Sequence, residues 1–394
     1  MKLNATPLNQ LSPMLDGIRP ISRDERQGRI ARLQSYMQQE KLQAVLLDAT
    51  TSLFYFTGIS WSQSERITVA VIPSEGDVAY VCPAFESDRL KEMILFGSDV
   101  YTWEEDESPF DQIIMLLRDS GRAEGRIGID DKARFFLFDG VRQAAPALEW
   151  VNADRVIKAC RIVKSQAEIA LLQRANEITA EAFKTCISML KEGMSQTEFR
   201  ELSVAAHKAM GVQGGIGVQF GASTAFPHGS KEMTYLKKGD VVLMDGGCKV
   251  EGYTSDISRT IVFGTPTARQ KEIWNLEKKA QAAGLAAARL GATCGDVDAA
   301  ARKVIEDYGF GPGYKVPGLS HRTGHGIGLD GHEWGNILPG NRTPLVPGMC
   351  FSVEPTISIY GEFGVRLEDC VYIDKDGAHY FTEPSPSIDE PFNS

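Results

Sequence analysis

Two hydrophobic rhythms alternate along this chain. In its first 150 or so residues, the runs 44–47, 53–56, 67–72, 78–81 and 126–129 are short and rich in Val, Ile, Leu and aromatic residues, which predicts strands. Segments 86–95, 110–120 and 135–144 lie among them with the wider spacing of amphipathic helices. That alternation predicts an α/β domain. An opening helix is predicted from Ser22 to about Glu40, because Ser22-Arg-Asp-Glu25 has the form of a capping box, each end side chain reaching the other's backbone N–H.

Between 151 and 164 the strand pattern lapses. Ser165-Gln-Ala-Glu168 then opens a strong helix by a second capping box, and Leu171, Ala175, Ile178 and Ala182 form one apolar stripe. A boundary near 160 therefore separates domains 1–160 and 161–394. The second domain carries a faint echo at an offset near one hundred residues. Leu190-Lys-Glu-Gly-Met-Ser-Gln-Thr-Glu198, with its helix to Gly211, resembles Leu290-Gly-Ala-Thr-Cys-Gly-Asp-Val-Asp298, with its helix to Gly309. Each is followed by strand-like runs bearing two acids, Asp245 and Asp256 first, then Glu354 and Glu368. A duplicated unit would gather these four about a pseudo-two-fold axis.

Composition narrows the setting. A length of 394 residues suits two domains, and 43% hydrophobic with 24% charged residues is ordinary for a globular protein. No apolar run approaches the roughly 20 residues of a membrane span. Met1 to Pro20 lacks the pattern of a secretory signal, so a cytoplasmic address is expected. Seven scattered cysteines without a C-x-x-C pair read as reduced, mostly buried thiols. A net charge of -10 disfavours nucleic acid as a partner.

The chemistry sits in the acids. Val241-Val-Leu-Met-Asp245 reads as a buried strand ending at Asp245, and Gly252-Tyr-Thr-Ser-Asp256 begins its returning partner. Ionised carboxylates in apolar strands need partners, so two on adjacent strands imply a cation between them, or else turn capping and pairing with Arg259. Gly324-His325-Gly326 sets an imidazole between glycines, where close backbone approach leaves its ring free to enter a cavity. Phe351-Ser-Val-Glu354 and Val365-Arg-Leu-Glu368 again put acids into apolar runs. Four carboxylates and one imidazole form a hard, oxygen-rich donor set for two divalent ions, manganese above all, with cobalt, zinc or iron as alternatives. Two such ions about 3.5–4 Å apart suit hydrolysis. Of six histidines, His228, His321, His325 and His332 fall in or beside these segments, while His207 and His379 read as structural.

In this order, D-G-G, G-Y-T-S-D-I-S-R-T, G-H-G-I-G, V-E-P and R-L-E-D resemble the pita-bread metallopeptidases, in the branch of Xaa-Pro dipeptidases (prolidases) and aminopeptidase P. The resemblance implies a creatinase-type α/β domain followed by a pita-bread domain, an α/β (α+β) fold overall. It implies that Asp245 holds one ion, that Asp256 and Glu368 bridge both, and that His325 and Glu354 complete the second. Glu354 also matches the proton shuttle, His228 and His332 match residues that contact substrate or steady the intermediate, His321 matches a pocket histidine, and Arg366 a site arginine. Hydrolysis before proline by a hydroxide activated between the ions is the implied reaction, on Xaa-Pro dipeptides or, as in aminopeptidase P, on longer peptides.

One departure stands out: the family's tyrosine four positions after the ligand Glu is Ser358 here, leaving Ser358 with a water, or Tyr360, to replace it. Phe54-Tyr-Phe-Thr-Gly58 looks like a strand of the family's first domain. That domain is implied to make a homodimer and to cap the partner's site, through Trp61 and Arg66 in the following loop. Creatinase-like C–N hydrolysis, a lyase, and a scaffold built on an inactive peptidase domain are lesser alternatives, disfavoured because all five ligand-type residues are present.

Overall fold

The strand-forming residues of the first third pair into one mixed sheet in a computed structural model, which describes residues 7–227 and 229–392. Two compact units result, one of residues 20–161 and one of 162–392 with 7–19. In the first unit six strands run in the order Val100–Trp103, Ala79–Pro83, Val69–Pro73, Leu42–Leu47, Arg126–Ile129, Glu149–Asn152. Leu42–Leu47 and Ala79–Pro83 are antiparallel to Val69–Pro73 between them, and the outer pairings are parallel. Ala44, Leu46, Val71 and Val81 pack against Ile113 and Leu117 of the helix Pro109–Asp119 and Val141 of Phe135–Ala144. The opening helix runs Arg23–Gln39; Ser22 caps it by accepting the Glu25 N–H, and Glu25 also pairs with Arg29 at 2.6 Å.

The expected strand over 53–56 is instead the helix Thr51–Thr57. Local chemistry explains the reversal. Thr50 accepts the Ser52 N–H as N-cap, and Gly58 closes the far end in the left-handed conformation at φ 83°. Arg26 and Arg29 donate to the buried carbonyl of Tyr55 in the last turn, a favourable place for cations at a helix C-terminus. Strands Val100–Trp103 and Glu149–Asn152 escape sequence reading because they are the sheet's two edges and only partly buried, so neither is a continuous apolar run.

The second unit repeats one motif. Helices Gln166–Ser188 and Gln196–Ala209 are capped by Ser165 and Ser195, and Ala268–Ala287 and Cys294–Asp307 by Thr267 and Thr293, all four through capping boxes. After the first pair come Gln213–Phe220, Val241–Val250 and Ile257–Val262, an antiparallel sheet joined by the short strand Tyr253–Thr254. The second pair precedes a five-stranded sheet ordered Glu333–Ile337, Gly324–Gly326, Cys350–Val353, Asp369–Asp374, Gly377–Tyr380, with the hairpin Thr356–Ile359 and Phe363–Arg366 beside it. Ile273 and Trp274 pack on Ile357 and Leu367, and Val297 on Phe351 and Val353. The two sheets meet where Ser258 and Glu368 exchange backbone hydrogen bonds of 3.3 and 3.1 Å. All seven cysteines are free and buried, and no described helix is long and apolar enough to cross a membrane.

Candidate metal centre

Each acid is delivered by a strand or its end. Asp245 does not end its strand, as the sequence suggested, but lies midway along Val241–Val250, opposite Ser258. Asp256 occupies the link before Ile257–Val262, and Glu354 follows Cys350–Val353, its N–H donated to the Thr323 carbonyl at 2.7 Å. Glu368 lies between the hairpin and Asp369–Asp374. His325 is the middle of a three-residue strand, and its glycine neighbours are obligatory. A Cβ on Gly324 would fall 1.9 Å from the Ser352 carbonyl oxygen, and one on Gly326 1.8 Å from that of Trp334. Strand alternation turns the His325 ring to the other face.

Three overlapping groups converge there: Asp245, Asp256 and Glu368; His325, Glu354 and Glu368; Asp256, His325 and His332. Within each, the donor atoms lie within 4.8 Å of one another. His325 Nε2 is 3.0 Å from a Glu354 oxygen and 3.8 Å from oxygens of both Asp256 and Glu368. Its Nδ1 sits 3.1 Å from the Gly326 carbonyl, which can only accept, so the ring proton belongs on Nδ1. Nε2 therefore points a lone pair at three carboxylates. Such a contact holds only with a positive charge between them, a proton or a metal ion.

The acids respond as their crowding requires. Burial pushes Glu368 well above the usual carboxylate range, and Asp256, Glu354 and Asp245 push it further. Asp256 is raised by burial and then by Asp245 and Glu354. Burial raises Glu354, but with a second proton on His325, at Nε2, the hydrogen bond and charge of that ring, together with Arg366, outweigh burial and bring Glu354 down to about 2. One oxygen of Glu368, fully buried, has no hydrogen-bond partner. An orphaned carboxylate oxygen, a bare imidazole nitrogen and three adjoining acids fit a divalent cation. Because the first two groups share Glu368, they fit two cations side by side.

Several residues that shape the centre carried no signal in the sequence. Ser258 Oγ accepts from Arg366 Nε at 2.9 Å and lies 2.7 Å from Glu368 and 3.1 Å from Asp245. Ser352 Oγ accepts the His325 N–H at 3.0 Å and contacts Glu354 at 3.1 Å. Gln281 Nε2 donates to Asp369 at 2.9 Å and to the Leu367 carbonyl at 3.2 Å, steadying the chain on either side of Glu368. Arg259 pairs with neither Asp245 nor Asp256: it forms a wholly buried ion pair with Asp369 at 2.6 Å and donates to the Glu368 carbonyl.

Of the remaining candidates, Arg366 is buried and donates to Asp245 at 2.6 Å; burial opposes its charge, but Asp245, Glu368 and Glu354 raise its pKa. His332 is exposed at the residue level with its ring 4.0 Å from that of His325, and partial desolvation on that side is the first cause that pushes it down to about 4, so it is neutral at pH 7. His321 has both nitrogens within hydrogen-bonding distance of protein oxygens, the Arg322 carbonyl at 2.6 Å and Thr356 Oγ1 at 2.9 Å. His228 lies outside the described residues. Ser358 is fully buried with its Oγ 3.4 Å from that of Ser320, and Tyr360 is exposed and stacked on Phe226 at 5.3 Å. In the other unit Trp61, half-buried, lies under Arg89 at 4.8 Å, and Arg66 holds Glu105 at 2.7 Å. His207 is buried against the Ser203 carbonyl at 2.8 Å, and His379 pairs with Asp374 at 2.8 Å.

Residues 170–375 match the pattern of metallopeptidase family M24, and residues 29–163 that of the creatinase/prolidase N-terminal domain. An uncharacterized peptidase of Schizosaccharomyces pombe is 35% identical over 384 residues, 91% of this chain and 82% of its own. A Xaa-Pro dipeptidase of Pyrococcus furiosus is 31% identical over 363 residues, 90% of this chain and 97% of its own. Among solved structures, a recombinant prolidase of Thermococcus sibiricus superposes with a TM-score of 0.83 at 30% identity, covering 91% of this chain and 96% of that one.

Proposed function

We propose, for a chain that belongs to metallopeptidase family M24, that its second unit hydrolyses the bond before proline in Xaa-Pro dipeptides with the help of two divalent ions, manganese first among them. The carrying observation is the bare His325 Nε2 facing Asp256, Glu354 and Glu368, beside the orphaned oxygen of Glu368. Likeness to proteins named Xaa-Pro dipeptidase and prolidase supports the proline direction.

Asp245, Asp256 and Glu368 would hold one ion and His325, Glu354 and Glu368 the other, Asp256 serving both. Bound there, the ions would supply Lewis acidity toward the scissile carbonyl and the attacking water. The protein's own groups do the rest. Glu354 would take a proton from the water and pass it to the proline nitrogen, a tertiary amide nitrogen that cannot leave unprotonated. His332, neutral and exposed beside His325, donates a hydrogen bond to the developing oxyanion, with His228 as a second substrate contact. Arg366 fixes the free end of Asp245, and His321 steadies the wall through Thr356.

Residues 1–160 form the homodimer contact in this reading and bring Trp61 and Arg66 over the partner's site; residues 161–394 carry catalysis. Seven free, buried thiols suit a reducing cytoplasm. The test is turnover of Ala-Pro and Ala-Pro-Ala by protein stripped with chelator and reloaded with Mn2+. Metal-dependent cleavage of Ala-Pro is expected. Preference for the tripeptide would replace the dipeptidase reading with that of aminopeptidase P, and turnover indifferent to chelator would end the two-ion mechanism.

A further inference from the structure

A cleft of about 450 Å³ opens beside Asp245 in the second unit, between the helix Gln196–Ala209, the strand Gln213–Phe220 and the segment containing Pro227 and Met233. Its walls are mostly polar, but most of that polarity is already engaged. The Gln219 amide, in the orientation that satisfies it, donates to the Ser223 and Phe226 carbonyls at 2.7 and 3.1 Å and accepts the Gly229 N–H at 2.9 Å. Gln196 spends its carbonyl oxygen on the Thr234 N–H at 3.3 Å. Beside the Thr197 and Ser230 hydroxyls and the Asp245 carboxylate that Arg366 holds, the side-chain N–H donors left are those of the Gln196 amide and the guanidinium of Arg200.

Arg200 is the anomaly. The other arginines of this unit near the acids are committed: Arg366 to Asp245, Arg259 to Asp369, Arg302 to Asp298. Arg200 lines the cleft with no hydrogen-bond or ion-pair partner among the described residues. A planar five-donor cation beside unused amide donors matches a carboxylate better than any other peptide group. We propose that Arg200 is a specificity residue that seats a substrate carboxylate in this cleft, an inference that rests on the peptidase reading above. Two parts of a Xaa-Pro substrate offer that chemistry: an acidic side chain on the residue before proline, or the terminal carboxylate.

Metal-loaded full-length protein and its Arg200→Gln and Arg200→Glu variants are assayed for kcat/KM on Glu-Pro, Gln-Pro, Lys-Pro and Gln-Pro amide. Arg200 is exposed on a helix surface, so both variants should keep the wild-type Mn2+-induced thermal shift. If the side chain is seated, Arg200→Glu lowers the Glu-Pro to Lys-Pro ratio by about fivefold to tenfold, as expected for reversing one solvent-facing charge. If the terminal carboxylate is seated, all free dipeptides lose a similar factor through KM while the amide does not. The Glu-Pro to Lys-Pro ratio and the Gln-Pro to Gln-Pro amide ratio both unchanged within about twofold in Arg200→Glu would overturn the assignment while leaving the peptidase reading intact. No wild-type turnover of any Xaa-Pro substrate would overturn that reading first, and this one with it.

Discussion

Replacing Glu368 by Gln separates a metal ligand from a structural acid by the sign of its effect. Glu368 is 2% exposed, one oxygen lies 2.7 Å from the Ser258 hydroxyl, and the other has no partner. Gln keeps the shape and an acceptor for Ser258 but removes the charge. Two carboxylates at about 4 Å repel by about 4 kcal/mol at an effective dielectric of about 20, and metal-free protein escapes most of this by keeping protons on Glu368 and Asp256. A raised folded-state pKa means that the native state binds the extra proton. Stability is therefore fully present below the unfolded value of about 4.3 and is lost as pH rises from there toward the folded value. The Gln variant lacks that loss. In chelator the variant should gain on wild type as pH rises from about 5 to about 8, the direction set by the raised Glu368, and by no more than the about 4 kcal/mol of that repulsion. With Mn2+ the order should reverse: wild type gains about 2.7 kcal/mol per site at a hundredfold excess over Kd, while the variant has lost the residue shared by both sites. Thermal unfolding in chelator and then in Mn2+, at both pH values, reads all four states. A variant less stable than wild type in chelator that keeps the full Mn2+ shift would refute the ligand assignment.

Three other substitutions probe the surroundings. Ser258→Ala, which cuts the link among Asp245, Glu368 and Arg366, should weaken Mn2+ binding by about 10–100-fold with the fold retained, as measured by metal titration. Lys164→Met should cost about 3–5 kcal/mol in thermal unfolding, because it strips the cation from Glu333 at 3.1 Å in a pair only 1% and 2% exposed; adding Glu333→Gln should recover part of this, and an unchanged melting temperature would show that the pair is dispensable. Ser358→Tyr, which restores the family's residue, should destabilise by about 1–3 kcal/mol and leave kcat no higher, since Ser358 is fully buried against Ser320; a gain in kcat would mean that the site still has room for the phenol.

The acids, the histidine and three of the second unit's four helices, all but Ala268–Ala287, could be read from the sequence because each rests on a local rule. A capping box needs four residues, an amphipathic stripe four or five turns, and an acid in an apolar run is conspicuous wherever it falls. Ser258, Ser352 and Gln281 follow no such rule. They matter through partners 110, 27 and 88 positions away, and a serine in a strand looks like any other. The helix over 51–57 was misread for the opposite reason. Leu-Phe-Tyr-Phe suits a strand locally, and its caps at Thr50 and Gly58, with arginines from the preceding helix, decide otherwise.

The duplicated motif explains why no single segment contains a site. The first half supplies Asp245 and Asp256, the second His325, Glu354 and Glu368, and each set alone is a group of acids in an apolar sheet. They are fastened together at one antiparallel pair, Ser258 and Glu368, whose backbones exchange both hydrogen bonds and whose side chains lie 2.7 Å apart. Four carboxylates meet one committed guanidinium there, that of Arg366 on Asp245, which leaves more negative charge than a single divalent ion would neutralise. Two ions with Glu368 shared between them fit both the charge and the overlapping donor groups. The seam between the halves thus falls where four carboxylates crowd, and cations bound there would relieve their repulsion and hold the two sheets together.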